Sequence, residues 1–299
     1  MWDLAASPQT RADIGHGAEV TAVAVYRDGN RVISASWDRT LKIWDLAKRA
    51  EIRTLHGHSD GITAVAVFGA GQFAISASAD GTLKVWQLEG GDVLRTLTGH
   101  AKPVRGVAVY EDGKRAISAS SDDTLKIWDL ETGGEVRTIR GHSRWVTAVA
   151  VFGNGNRAIS ASWDHTLKIW DLDTGAEVRT LSGHISVVSA VAVAHDLNWA
   201  ISSSWDQTLK VWDLDTGTEV RTLTGHSNGV TAVAVSRDGK RVISTSHDNT
   251  LKVWDLSTGK EIASFSADGG LEACACDAGV IVAGDQFGKI HAFQLQEPT

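Results

Sequence analysis

The chain has 299 residues, 42% of them hydrophobic, and a formal net charge of −7. Such a composition suits a soluble globular protein, and the acidic balance disfavours nucleic acid, which is held by basic surfaces. Apolar stretches run to about six residues, far below the ~20 that a membrane-crossing helix needs, so no membrane contact is expected.

In chain order, the first regular feature is Met1-Trp-Asp-Leu4, a copy of a strand ending that recurs throughout. Residues 9–14 stand where an outer strand belongs, just ahead of Gly15-His16. Residues 20–25 are β-branched and apolar and predict a strand. Asp28-Gly29 predicts a hairpin turn, and residues 31–36 a second strand. The chain turns at Asp38-Arg39-Thr40, runs through a third strand at 41–46, and adds a shorter, more polar fourth at 51–55. Gly57-His58 then opens the same cycle again. Gly-His recurs every 42 residues, at His16, His58, His100, His142, His184 and His226. Asp38, Asp80, Asp122, Asp164, Asp206 and Asp248 keep the same interval, as do Trp44, Trp86, Trp128, Trp170, Trp212 and Trp254.

First strands are predicted at 20–25, 62–67, 104–109, 146–151, 188–193, 230–235 and 271–276. A lone four-stranded sheet cannot cover both apolar faces, so neighbouring copies must do it. Four antiparallel strands per unit fit blades around an axis, and no segment carries a helical period. The last unit is degenerate: Ala267-Asp268 replaces Gly-His, Phe293-Gln294-Leu295 replaces Trp-Asp-Leu, and no fourth strand follows. The N-terminal residues 9–14 are expected to supply that strand. Residues 9–296 then form the propeller and residues 1–8 an N-terminal remnant or linker.

The repeat running from Gly-His to Trp-Asp, six times in register, resembles the WD40 family over nearly the whole chain. The resemblance implies an all-β, seven-bladed propeller braced by hydrogen-bonded quartets of His, Ser, Asp and Trp. Carried over, the histidines, aspartates and tryptophans are those just named, and the serines are Ser36, Ser78, Ser120, Ser162, Ser204 and Ser246. Ser34 faces the same way as Ser36, so the pattern leaves the choice within each serine pair open. Blade seven carries Asp268, Asp285, Phe287 and Phe293 at the four places. The near-identity of the units resembles bacterial WD40 arrays, which form parts of larger signalling proteins. It implies further domains on a parent chain and a noncatalytic role in protein–protein interaction.

Serine, histidine and aspartate together invite a hydrolase reading. A triad needs one exceptional nucleophile, whereas here the same set occurs six times beside a tryptophan, as bracing. Asp173-Thr-Gly175 and Asp215-Thr-Gly217 copy an aspartic-protease triplet but fall in turns. Cys274 and Cys276, the only cysteines, align with Val233 and Val235 and read as core, not as half a zinc site. His165, His195 and His247 are off the grid without metal-ligand spacing. No catalytic residue, cofactor or metal is expected. Two cysteines make no disulfide framework, and the opening residues lack a basic stretch followed by an apolar one, so a cytoplasmic setting without a signal peptide is expected.

Variation between repeats is the better guide to function. The residue before each quartet aspartate reads Trp37, Ala79, Ser121, Trp163, Trp205 and His247. The third residue after each histidine reads Glu19, Gly61, Pro103, Trp145, Val187 and Gly229. Both positions are expected at one mouth of the propeller. Trp145, Trp163, Ile185, Val187 and Trp205 then form an aromatic patch, with Trp37 and His247 on the same face. Exposed apolar patches mark interaction sites, and tryptophan is enriched at binding hot spots. A protein or peptide is the expected partner, and a carbohydrate or other small ligand stacking on the same rings is the alternative. Trp199, in place of Arg31 and Arg115, is expected on the surface near the opposite face.

Overall fold

Valine, isoleucine and alanine fill the strand segments, so each sheet is apolar on both faces and must be covered on both. The computed structural model describes residues 3–6, 15–110, 113–194 and 197–296. Its strands form seven four-stranded antiparallel sheets. Blade one comprises Val20–Tyr26, Arg31–Ser36, Thr40–Asp45 and Ala50–His56, numbered outward from the axis. The innermost strand of blade one adjoins those of blades two and seven, so the ring is closed.

Apolar clusters lie between blades. Ile117, Leu125, Ile127 and Ile139 of blade three pack against Val146, Val149 and Trp170 of blade four. Blade seven packs on blade one with less room: Gly284 stands where blade one has Ala35, and a Cβ there would lie 2.3 Å from the Val20 side chain.

The last blade closes through the N-terminus, but not as expected. Asp3–Ala6, inside the segment read as a linker, pairs antiparallel with Ile290–Gln296, with Asp3 opposite Gln296 and Ala6 opposite Phe293. Residues 9–14 lie outside the described residues. Trp2-Asp3-Leu4 copies a third-strand ending, yet Ile290–Gln296 already fills that slot. The remaining edge is the outside of that strand, where backbone N–H and C=O groups pair whatever the side-chain pattern.

Each innermost strand also slips register by one residue near its start. The extra residues are Thr21, Thr63, Arg105, Thr147, Ser189, Thr231 and Glu272. A bulge of this kind re-aims a side chain. Five of the seven use it as a latch: Thr63 Oγ1 donates to the Val104 carbonyl of the next blade at 2.6 Å, and Thr147 to Val188 at 2.6 Å. Thr21, Ser189 and Thr231 do the same to Ile62, Val230 and Leu271. Arg105 and Glu272 break the series.

Candidate functional site: a tryptophan-lined propeller mouth

Two networks invite a functional reading, and burial separates them. The first is the set of six quartets. In blade four, His142 Nδ1 lies 2.7 Å from Asp164 Oδ2, and His142 Nε2 lies 2.7 Å from Ser160 Oγ. Trp170 Nε1–H donates to the same Ser160 oxygen at 2.8 Å. A carboxylate only accepts, so Nδ1 carries the hydrogen, and in that tautomer Nε2 accepts the Ser160 hydroxyl. Every donor then has one acceptor in a single direction.

The serine in this network is Ser34, Ser76, Ser118, Ser160, Ser202 or Ser244. This corrects the assignment to Ser36, Ser78, Ser120, Ser162, Ser204 and Ser246. Those six instead accept the backbone N–H of the quartet aspartate, as Ser36 does from Asp38 at 3.0 Å. The reason is register. Ser34 stands opposite Lys42, two residues from Trp44, while Ser36 lies beyond the paired stretch, over the turn.

The distances match those of a hydrolase triad, but the serines are fully buried and their oxygens already accept an indole N–H. The Asp173-Thr-Gly175 triplet is likewise a turn, its carbonyls at Asp173 and Thr174 bound by Arg137. Cys274 and Cys276 pack in the apolar cluster between blades six and seven, where burial pushes the Cys274 thiol up to about 12. Trp199, expected at the surface, is half-buried against the cluster between blades five and six. That position lies beside an interblade seam, which an indole covers better than a guanidinium does.

Ionisation makes the quartets acid-sensitive. Burial opposes the charge on Asp80, yet hydrogen bonds from Thr82 and His58 outweigh it and hold the carboxyl at about 2. Asp248 is also held at about 2, by Thr250, Ser227 and His226 acting against burial. Burial pushes His58 and His226 below the usual histidine range despite their aspartate partners. Both groups bind fewer protons folded than unfolded, so stability rises with pH. The histidine share fades as pH falls below about 6.5, and the aspartate share between about pH 4 and 2. His247, raised chiefly by its hydrogen bond to Glu272, and Glu19, raised chiefly by burial, run the other way, but they are outnumbered by the quartets. Urea midpoints followed by circular dichroism should therefore fall on acidification, most steeply below about pH 4. In Asp80→Asn the midpoint should be lower at neutral pH and the acid fall shallower. An equal acid fall in the variant would contradict the assignment.

The second network is at the mouth. The Trp163 N–H donates to the Trp145 carbonyl at 2.9 Å and the Trp205 N–H to the Val187 carbonyl at 3.0 Å, so the backbone joins the two variable positions of each blade. Ring centroids of Trp145 and Trp163 lie 4.8 Å apart, and those of Trp163 and Trp205 5.4 Å apart. Trp145 remains 37% exposed and Trp205 44%. Trp37 lies across the mouth over Gly61, where a Cβ would come within 2.0 Å of its ring. These tryptophans, with buried Val187, line a cavity of about 260 Å³ together with Glu19, Thr21, Thr63, Arg105, Thr147, Ser189 and Glu272. Ile185, 84% exposed, and His247, paired with Glu272 at 3.1 Å, are not among the residues that line the cavity. Arg105 and Glu272 were missed. The signal was present: they are the two departures in the latch series of Thr and Ser.

Seven sheets closed in a ring and six buried His–Ser–Asp–Trp quartets define a repeat propeller of the WD type. The pattern described as WD domain, G-beta repeat, matches residues 8–45, 49–87, 91–129, 133–171, 175–213 and 217–255, so the chain belongs to the WD40 family. Propellers of this family are generally noncatalytic scaffolds that bind proteins or peptides. Curated proteins include no match to this chain. Among the described residues no helix is long and apolar enough to cross a membrane.

Proposed function

We propose that this propeller is a noncatalytic scaffold or sensor module that takes a protein or peptide partner on its tryptophan-lined mouth. Its setting is then the cytoplasm, as the regulatory part of a larger bacterial signalling protein. One observation carries the binding site: Trp145, Trp163 and Trp205 touch in a row, yet the two end rings stay more than a third exposed beside a cavity. Rings of this size with half their surface wet gain most when a partner covers them.

The test is a selection of peptides from a random display library on the whole chain, followed by affinity measurements on a Trp145→Ala, Trp163→Ala, Trp205→Ala variant. The variant should keep its circular dichroism spectrum and bind the selected peptides at least about tenfold more weakly, a loss of about 1.4 kcal/mol. Unchanged affinity would remove the site from the mouth. A parallel glycan screen addresses the carbohydrate alternative, which requires hits that the same variant loses.

A further inference from the structure

The latch series gives the mouth a chemistry. At five of the seven bulged positions a hydroxyl ties its blade to the next. Blades three and seven give up that tie and place a guanidinium and a carboxylate there. Blade three is otherwise a near copy of its neighbours, so Arg105 is a local exception in a repeated plan; Glu272 belongs to the degenerate blade, and both line the same cavity.

Arg105 is held by other means. Its Nε–H donates to Ser121 Oγ at 2.9 Å, and its guanidinium lies over the Trp145 ring, 5.2 Å from the centroid. Ser121 is buried and occupies the position that carries Trp37, Trp163 or Trp205 in other blades. A serine there leaves the volume an arginine needs and supplies an oxygen for it. Among the described residues no carboxylate pairs with Arg105, and burial is what perturbs its ionisation. A guanidinium fixed by one nitrogen and stacked on an indole presents its remaining N–H groups as a fork, the geometry that matches a carboxylate.

Across the axis the sign reverses. Glu272 of blade seven and Glu19 of blade one line the cavity. Burial, and then the charge of Glu272, raise Glu19 above the usual carboxylate range. His247 reaches Glu272 from outside. Trp37 stands on the Glu19 side, where a cation finds a carboxylate and an aromatic face together.

We propose that the mouth is a bipolar recognition site, in which Arg105 takes a carboxylate of the partner peptide while Glu19 and Glu272 take a cationic group further along it. This rests on the tryptophan-lined mouth being the binding face and adds the charge pattern of the partner. Like charges meet at both ends when such a segment enters reversed, so the arrangement also fixes its direction.

The probes are fluorescein-labelled synthetic peptides of one apolar sequence carrying Glu and Lys, Gln and Lys, Glu and Gln, or Gln and Gln. The two positions are set about two to six residues apart, a span of roughly 7–20 Å when extended. Each is made as the free acid and as the C-terminal amide, which separates a side-chain carboxylate from the chain terminus. The variants are Arg105→Thr and Glu272→Thr, which restore the hydroxyl found at the equivalent positions and so favour the fold. The doubly charged peptide should bind tightest, and exchanging its carboxylate for an amide should weaken it about tenfold or more. Arg105→Thr should erase that preference, and Glu272→Thr should erase the preference for Lys.

Equal binding of the neutral peptide, no binding by any peptide of the set, or a preference that survives Arg105→Thr would overturn the inference. Peptides from the display selection that need Trp145, Trp163 and Trp205 but ignore both threonine variants would sink the bipolar site alone. Binding that follows Arg105 but ignores the tryptophans would instead sink the tryptophan-face reading.

Discussion

Replacing Trp170 with alanine should cost about 3–5 kcal/mol of folding free energy, the range for removing a large buried aromatic residue. The indole is 1% exposed and fills the seam between blades three and four, against Ile117, Ile127 and Ile139. Alanine leaves a cavity that two rigid sheets cannot collapse into. It also removes the N–H that Ser160 Oγ accepts. Trp170→Phe keeps most of the apolar volume and loses the donor, so its cost should be smaller, about 1–3 kcal/mol. Urea unfolding followed by far-ultraviolet circular dichroism measures both. A loss below about 1 kcal/mol in Trp170→Ala would show that the blades do not lean on this residue.

The second large effect separates the two serines of one strand. Ser160→Ala strands two buried groups, the Trp170 N–H and the unprotonated His142 nitrogen. Each unpaired group costs about 1–3 kcal/mol, so a total of about 2–6 kcal/mol is expected. Ser162 accepts from the Asp164 N–H at 3.0 Å and donates to the Arg144 carbonyl at 3.2 Å, both at the edge of the turn. Water reaches that edge more readily, so Ser162→Ala should cost about 1 kcal/mol. The same unfolding assay on both variants gives the order, and a larger loss for Ser162→Ala would reverse the quartet assignment.

These two serines also show where reading the chain stops. Positions 34 and 36 share one face of a strand, and side-chain alternation cannot rank residues two apart. Cross-strand register decides between them, because the Trp44 indole comes from the neighbouring strand and reaches Ser34. Edge pairing is equally blind to side chains. The segment holding Asp3–Ala6 looked like a third strand by its letters and became an outer one because that edge was open. That Trp145, Trp163 and Trp205 lie side by side was legible, since all three occupy variable positions of a fixed repeat. Ile185 and His247 share the variable loops but do not line the cavity, because the turn after His184 leaves Ile185 in solvent and His247 pairs with Glu272.

The period of 42 residues determined six of the blades and their strands, and the WD40 resemblance supplied the residues of each quartet other than the serine. A repeat has one environment, so a residue type that returns in every copy must meet the same neighbours. Tertiary structure alone decided what meets across blades and across the axis: which serine receives the indole, which segment closes the ring, and that Arg105 and Glu272 line one cavity. Those contacts join residues from different copies or different strands. They depend on register and ring closure, which fix distances that linear spacing does not contain.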